Sequence, residues 1–187
     1  MRVIVLGPPG SGKSTHARAL ADHVPAVHLS VGALLRREIE ERSALGLRVA
    51  ATVEAGQLVA DEDVLTVLEG PLGSANASGG WVLDGAPRTL EQAAVLDERL
   101  EAMRAPVELV IALEVPDDEV RRRLLKRARA DDTAGVIDQR ITGWHQEGPP
   151  VLGWYAQTDR VIAVDGVGEI LDVSRRVVDA VEGLIPG

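Results

Sequence analysis

The segment Gly7-Pro8-Pro9-Gly10-Ser11-Gly12-Lys13-Ser14 has the residue types and spacing of a phosphate cradle, G-x-x-x-x-G-K-[ST]. Glycines let successive backbone N–H groups turn towards one point, and a helix N-terminus adds partial positive charge there. A lysine at this place reaches the outer phosphates of a nucleoside triphosphate, and the hydroxyl after it ligates magnesium. Gly10, Ser11, Gly12, Lys13, Ser14 and Thr15 are therefore candidate triphosphate-binding residues. Asp84 ends the apolar run Trp81-Val82-Leu83. A hydrophobic strand ending in aspartate is where such a site holds magnesium, which makes Ser14 and Asp84 the candidate metal pair. Arginines and one lysine crowd positions 121–129. Alone, that block reads as a solvated helix face; beside a phosphate loop, it reads as a set of anion ligands.

These groups need elements to hold them. Residues 2–6, RVIVL, read as a buried parallel strand, followed by a helix to about residue 23. A short second strand is expected at 26–29. Helical patterning covers 30–41 and another stretch punctuated by Gly46 and Gly56, and Asp61 is placed to cap a helix over 62–69. Residues 71–80, PLGSANASGG, read as a loop by composition. Strands are expected at 81–85, 107–115 and 160–164. Helices are expected from Thr89 to about Met103, from 116 into the basic block, over 133–146 and over 168–183. Strands alternating with helices are the signature of an α/β fold with a parallel sheet covered on both faces. The stretches near 30–60 and 126–134 have no strand of their own and are expected to be lobes inserted at the edge of one domain.

Asp84-Gly85-Ala86-Pro87-Arg88-Thr89 and Gln92, read with the glycine loop, resemble the adenylate kinase family of nucleoside monophosphate kinases. The likeness extends to Ser30-Val31-Gly32-Ala33-Leu34-Leu35-Arg36, to Gly56-Gln57-Leu58-Val59-Ala60-Asp61, and to residues 123–132 with Arg140. The resemblance implies a P-loop NTPase fold with a five-stranded parallel core, a monophosphate-binding lobe at about 30–60 and a short lid at about 126–134. It implies phosphoryl transfer from MgATP to a nucleoside monophosphate. Carried over residue by residue, Lys13 binds the ATP phosphates and Arg123 lies beside the ATP base. Arg36 and Arg88 hold the monophosphate's phosphate. Gln92 reads its base, with Val31, Gln57, Val59 and Gly85 around it. Arg127, Arg129 and Arg140 close over the transferring group, and Asp131 and Asp132 orient the lid arginines.

The chain departs from the family pattern on the monophosphate side. The family usually has Thr at the place of Val31, an acid at Ala33 and an aromatic, often Phe, at Ala86. Gln92 favours AMP as acceptor. Two other readings stay open: an acceptor that is a different nucleotide or small metabolite, and a nucleotide-binding regulator with weak turnover.

Composition narrows the class. The chain has 187 residues and a net charge of −9, which argues against a general nucleic-acid binder. No apolar run approaches the roughly 18 residues of a membrane helix. With no cysteine there is no disulfide or cysteine-held zinc. The cytoplasm is the expected compartment, and the family resemblance implies a monomer. His16, His23, His28 and His145 have no metal-ligand spacing and read as solvated or structural.

Overall fold

Five short runs rich in Val, Ile and Leu pair into a single parallel sheet in the computed structural model, which describes residues 1–127 and 133–183. The strands are β1 (Arg2–Leu6), β2 (Val27–Ser30), β3 (Trp81–Asp84), β4 (Leu109–Glu114) and β5 (Val161–Asp165). Their order across the sheet is β2-β3-β1-β4-β5. Alternation along β1 splits the core in two. Ile4 and Leu6 face one apolar cluster with Leu29, Leu83 and Val110. Val3 and Val5 face the other, with Val82, Ile111 and Leu113. Helices α1 (Lys13–His23) and α8 (Ile170–Glu182) cover the second face. The first is covered by α4 (Asp61–Ala77), α5 (Leu90–Ala102) and α7 (Ala134–Ala156). Helices α2 (Val31–Glu40) and α3 (Ala44–Glu54) pack on each other and extend this side, and α6 (Asp117–Arg127) packs against α7. Among the described residues, no helix is long and apolar enough to cross a membrane.

Because β1 is followed by a helix on one face and β3 by a helix on the other, a crevice opens outside the carboxyl ends of these neighbouring strands. Ligands bind at such switch points in open α/β sheets. The register pairs Val5 with Asp84, so the loop after β1 and the acid ending β3 meet at that crevice.

Two expectations fail for one reason. Residues 71–77 are helical, not a loop: α4 continues through Pro71 because Leu68, Leu72 and Ala75 bury one stripe against the sheet. Likewise α7 passes through Pro149 and Pro150 to Ala156, since Gly148, Val151 and Tyr155 extend the buried face begun by Ile137 and Ile141. Tertiary burial outweighs the local cost of small, polar or proline residues in both. Asp61 is also not a cap. It is the first residue of α4, behind Ala60, and its carboxylate bonds elsewhere.

Candidate active site

The loop between β1 and α1 is built around Gly12. This residue is the N-cap of α1 with φ of 92°, a left-handed conformation that L side chains avoid. A Cβ there would also stand 2.8 Å from His16 Nε2, so His16 seals the loop from behind. His16 is 2% exposed and its Nδ1 lies 2.9 Å from Ser174 Oγ on α8. Burial, then the nearby Arg123, hold its pKa below the usual imidazole value. No side chain caps α1, so its first N–H groups are available to an anion. Gly10, Ser11 and Gly12 line this turn, and Ser14 and Thr15 sit exposed in the first turn of α1.

Lys13 Nζ donates to the carbonyls of Gly7 and Pro8, both at 2.7 Å. Its pKa falls to about 7, first through burial, then through repulsion by Arg88, with Arg127 adding to the fall and Asp84 opposing it. Arg88 is reached by solvent along the cleft, yet enough protein surrounds its guanidinium to lower its pKa, and Arg140 lowers it further. Its Nε donates to Gly85 O at 2.9 Å. Lys13 thus feels the charge of Arg88 and Arg127, and Arg88 that of Arg140, while Asp84 opposes the repulsion at both Lys13 and Arg88. Cations held in mutual repulsion form a site prepared for a polyanion.

Asp84 is 3% exposed and fully engaged. Its Oδ1 accepts from Ser14 Oγ at 2.7 Å and from Ser30 Oγ at 3.3 Å, and its Oδ2 accepts from His28 Nε2 at 2.6 Å. The Ser14 hydroxyl and the Asp84 carboxylate therefore face each other as hard oxygen donors, which suits magnesium. Among the described residues no group of three or more acids, histidines or cysteines gathers for a metal. A cation with few protein ligands, completed by phosphate oxygens and water, is the usual magnesium arrangement at such loops.

Arg123 bridges two sides of the cleft. Its Nη1 donates to Ser11 O at 3.3 Å, its Nη2 to Gly166 O at 2.9 Å, and its Nε to Glu119 at 2.5 Å. Across the cleft, Arg140 reaches the turn after α3: Nε approaches Gly56 O at 3.5 Å, and a Cβ on Gly56 would lie 2.6 Å from Nη2. Gly56, with φ of 68°, is the residue this approach requires. Arg36 on α2 is exposed and folds back towards Gly32. Gln57 is exposed, while Val59 is 9% exposed in the core. Arg129, Asp131 and Asp132 lie outside the described residues.

Gln92 is 2% exposed, and both ends of its amide are bonded. Oε1 accepts from the backbone N–H of Arg88 at 2.7 Å, and Nε2 donates to Asp61 Oδ1 at 2.6 Å. Thr89 caps α5 by accepting from Gln92 N, as expected at a helix start, and donates to Asp61 Oδ2 at 3.2 Å.

Sequence reasoning missed His28 and Asp61 as neighbours of this site. His28 and Ser30 alternate along β2 and so share a face, a readable signal. That β2 lies beside β3 is a matter of topology. Val31 and Ala86 are each 2% exposed and belong to the same core cluster. Val31→Thr is nearly isosteric. Ala86→Phe must push core atoms aside, and thermal unfolding is expected to show a loss of about 1–3 kcal/mol from overpacking.

The adenylate kinase family model matches residues 5–160. An adenylate kinase of Prochlorococcus marinus (strain MIT 9211) is 39% identical over 184 residues, 98% of each chain. One from Xylella fastidiosa (strain 9a5c) is 39% identical over 96% of this chain and 98% of its own length. One from Stenotrophomonas maltophilia (strain R551-3) is 37% identical over 98% of this chain and all of its own. With a phosphate loop, a strand-ending aspartate and converging cations on a five-stranded parallel sheet, and with likeness over almost its whole length, the chain belongs to the adenylate kinase family of nucleoside monophosphate kinases.

Proposed function

We infer that this chain, an ATP:AMP phosphotransferase, holds MgATP on the loop 7–14 and AMP across the cleft, between Arg88 and Gln92, and passes the terminal phosphoryl group directly between them. What supports this reading above all is the gathering of Lys13 and Arg88 at the Asp84 carboxylate, with Arg127 close enough to act on Lys13 and Arg140 on Arg88. Phosphoryl transfer asks for alignment and charge rather than covalent help. Lys13 and the α1 N-terminus hold the ATP phosphates. Arg123 packs beside the ATP base. Arg36 and Arg88 orient the acceptor phosphate, with Val31, Gln57, Val59 and Gly85 around the AMP base. Arg127, Arg129 and Arg140 neutralise charge on the group in flight. Magnesium, when bound, draws charge from the phosphate oxygens; Ser14 and Asp84 would hold it, the latter partly through water. Helices α2 and α3 act as the monophosphate lobe, and residues about 126–134 as a short lid. Closure of both excludes water, so that ATP is not hydrolysed instead.

The test is a panel of monophosphates offered with MgATP while diphosphate formation is followed. Turnover is expected to be best with AMP and to stop when EDTA removes magnesium. ATP binding without turnover of any monophosphate would contradict the assignment.

A further inference from the structure

The amide of Gln92 cannot be flipped without loss. The Arg88 backbone N–H can only donate, and the Asp61 carboxylate can only accept. Oε1 therefore faces Arg88 N at 2.7 Å and Nε2 faces Asp61 Oδ1 at 2.6 Å. Thr89 Oγ1 occupies the other Asp61 oxygen at 3.2 Å, which holds the carboxylate in place. Gln92 is 2% exposed, so a reversed amide has no water to repair the two broken bonds. In this orientation one lone pair on Oε1 and one hydrogen on Nε2 remain for a ligand.

That pattern has a chemical meaning for a purine edge. A 6-amino purine donates from its amino group and accepts at N1, which matches Oε1 and Nε2 as they stand. A 6-oxo purine accepts at O6 and donates from N1–H, the reverse pattern. To meet it, Gln92 would have to turn over, setting its oxygen against the Asp61 carboxylate and its NH₂ against the Arg88 N–H.

We propose that Asp61 is a positioning residue for acceptor specificity: by accepting from Gln92 Nε2 it locks the amide in the sense that takes 6-amino and rejects 6-oxo purine monophosphates. Asp61 touches no substrate and acts through Gln92. The inference rests on the reading of Gln92 as the base-contacting residue. No local sequence pattern joins the two residues, which sit at the starts of α4 and α5 and meet only because those helices pack side by side.

AMP and IMP differ at this edge alone and make the comparison. Asp61→Asn keeps the volume but can donate as well as accept, so the lock is lost on one side. The ratio of kcat/KM for AMP over IMP is expected to fall about tenfold or more, the scale of one hydrogen bond to a charged group. The change should lie mainly in the monophosphate KM, with KM for MgATP as in the parent. In ¹⁵N spectra the Gln92 side-chain amide is expected to exchange slowly in the parent and faster in Asp61→Asn, and the same spectra report whether the variant is folded. Asp61→Glu, which still only accepts, should restore much of the ratio. Equal losses for AMP and IMP, or an unchanged ratio with an unchanged amide signal, would overturn the proposal and leave Asp61 a helix-end residue. Gln92→Ala separates the premise: an AMP KM equal to the parent's would remove the base-contact reading and the proposal with it. A raised AMP KM in Gln92→Ala with an unaltered AMP:IMP ratio in Asp61→Asn would overturn the role of Asp61 alone.

Discussion

Exchanging Lys13 for methionine is expected to lower turnover at least ~100-fold, the scale of losing one preorganised charge in a site closed to water. The same exchange is expected to raise the melting temperature of the protein without nucleotide. Both outcomes follow from one fact: the Lys13 ammonium is buried, with Arg88 and Arg127 repelling it as well, and its pKa drops from 10.5 to about 7. The folded state thus binds fewer protons than the unfolded chain between pH 7 and 10.5, and stability must rise with pH across that window. Below pH 7 the full penalty of the buried charge is present. Methionine has a similar reach and no charge, so it removes both the penalty and the slope. Melts of parent and variant between pH 6 and 10 would show it, with the parent gaining on the variant as pH rises. Nucleotide should reverse the order, because its phosphates add negative charge beside Lys13 and restore the proton. Near-normal turnover in the variant, or identical pH slopes, would remove the phosphate-cradle account.

A ligand of two adenosines joined by five phosphates is expected to bind at least ~100-fold more tightly than ATP or AMP, since linking two site-filling groups makes the second binding step intramolecular. The charge layout gives this a physical basis. Lys13 feels Arg127, Arg88 feels Arg140, and Arg140 also reaches the Gly56 turn after α3; in the proposed arrangement the first pair meets ATP and the second the acceptor. Only a ligand spanning both sides relieves repulsion across the whole set, so only it favours the closed arrangement fully. Hydrogen exchange should slow together over residues 30–60 and 133–140. Arg140→Ala should weaken this ligand more than it weakens ATP, because it removes a cationic side chain that reaches from α7 to the turn after α3. Protection confined to residues 7–15 would indicate a rigid ATP binder and return the regulatory alternative.

Much of this architecture is set by local physics and is readable along the chain. The run Arg2–Leu6 is apolar on both of its alternating faces, so it must be an interior strand. The glycines that follow allow the turn, and Thr89 marks the start of α5 because its hydroxyl satisfies Gln92 N. Hence the phosphate loop, Asp84 and the alternating α/β order were legible. The reach of α4 past Pro71 and of α7 past Pro149 was not, since those turns are held by burial against other elements and not by their own propensities. The bonds of His28 to Asp84 and of Asp61 to Gln92 were equally hidden. Each joins segments far apart in the chain. The first depends on β2 taking the place beside β3 in the sheet, and the second on α4 packing along α5. Such neighbours are selected by the collective packing of two apolar cores, an energy that no single segment contains. The same holds for the charge cluster: the sequence supplied Lys13, Arg88, Arg127 and Arg140 one by one, and only the crevice between β1 and β3 brings them close enough to repel one another.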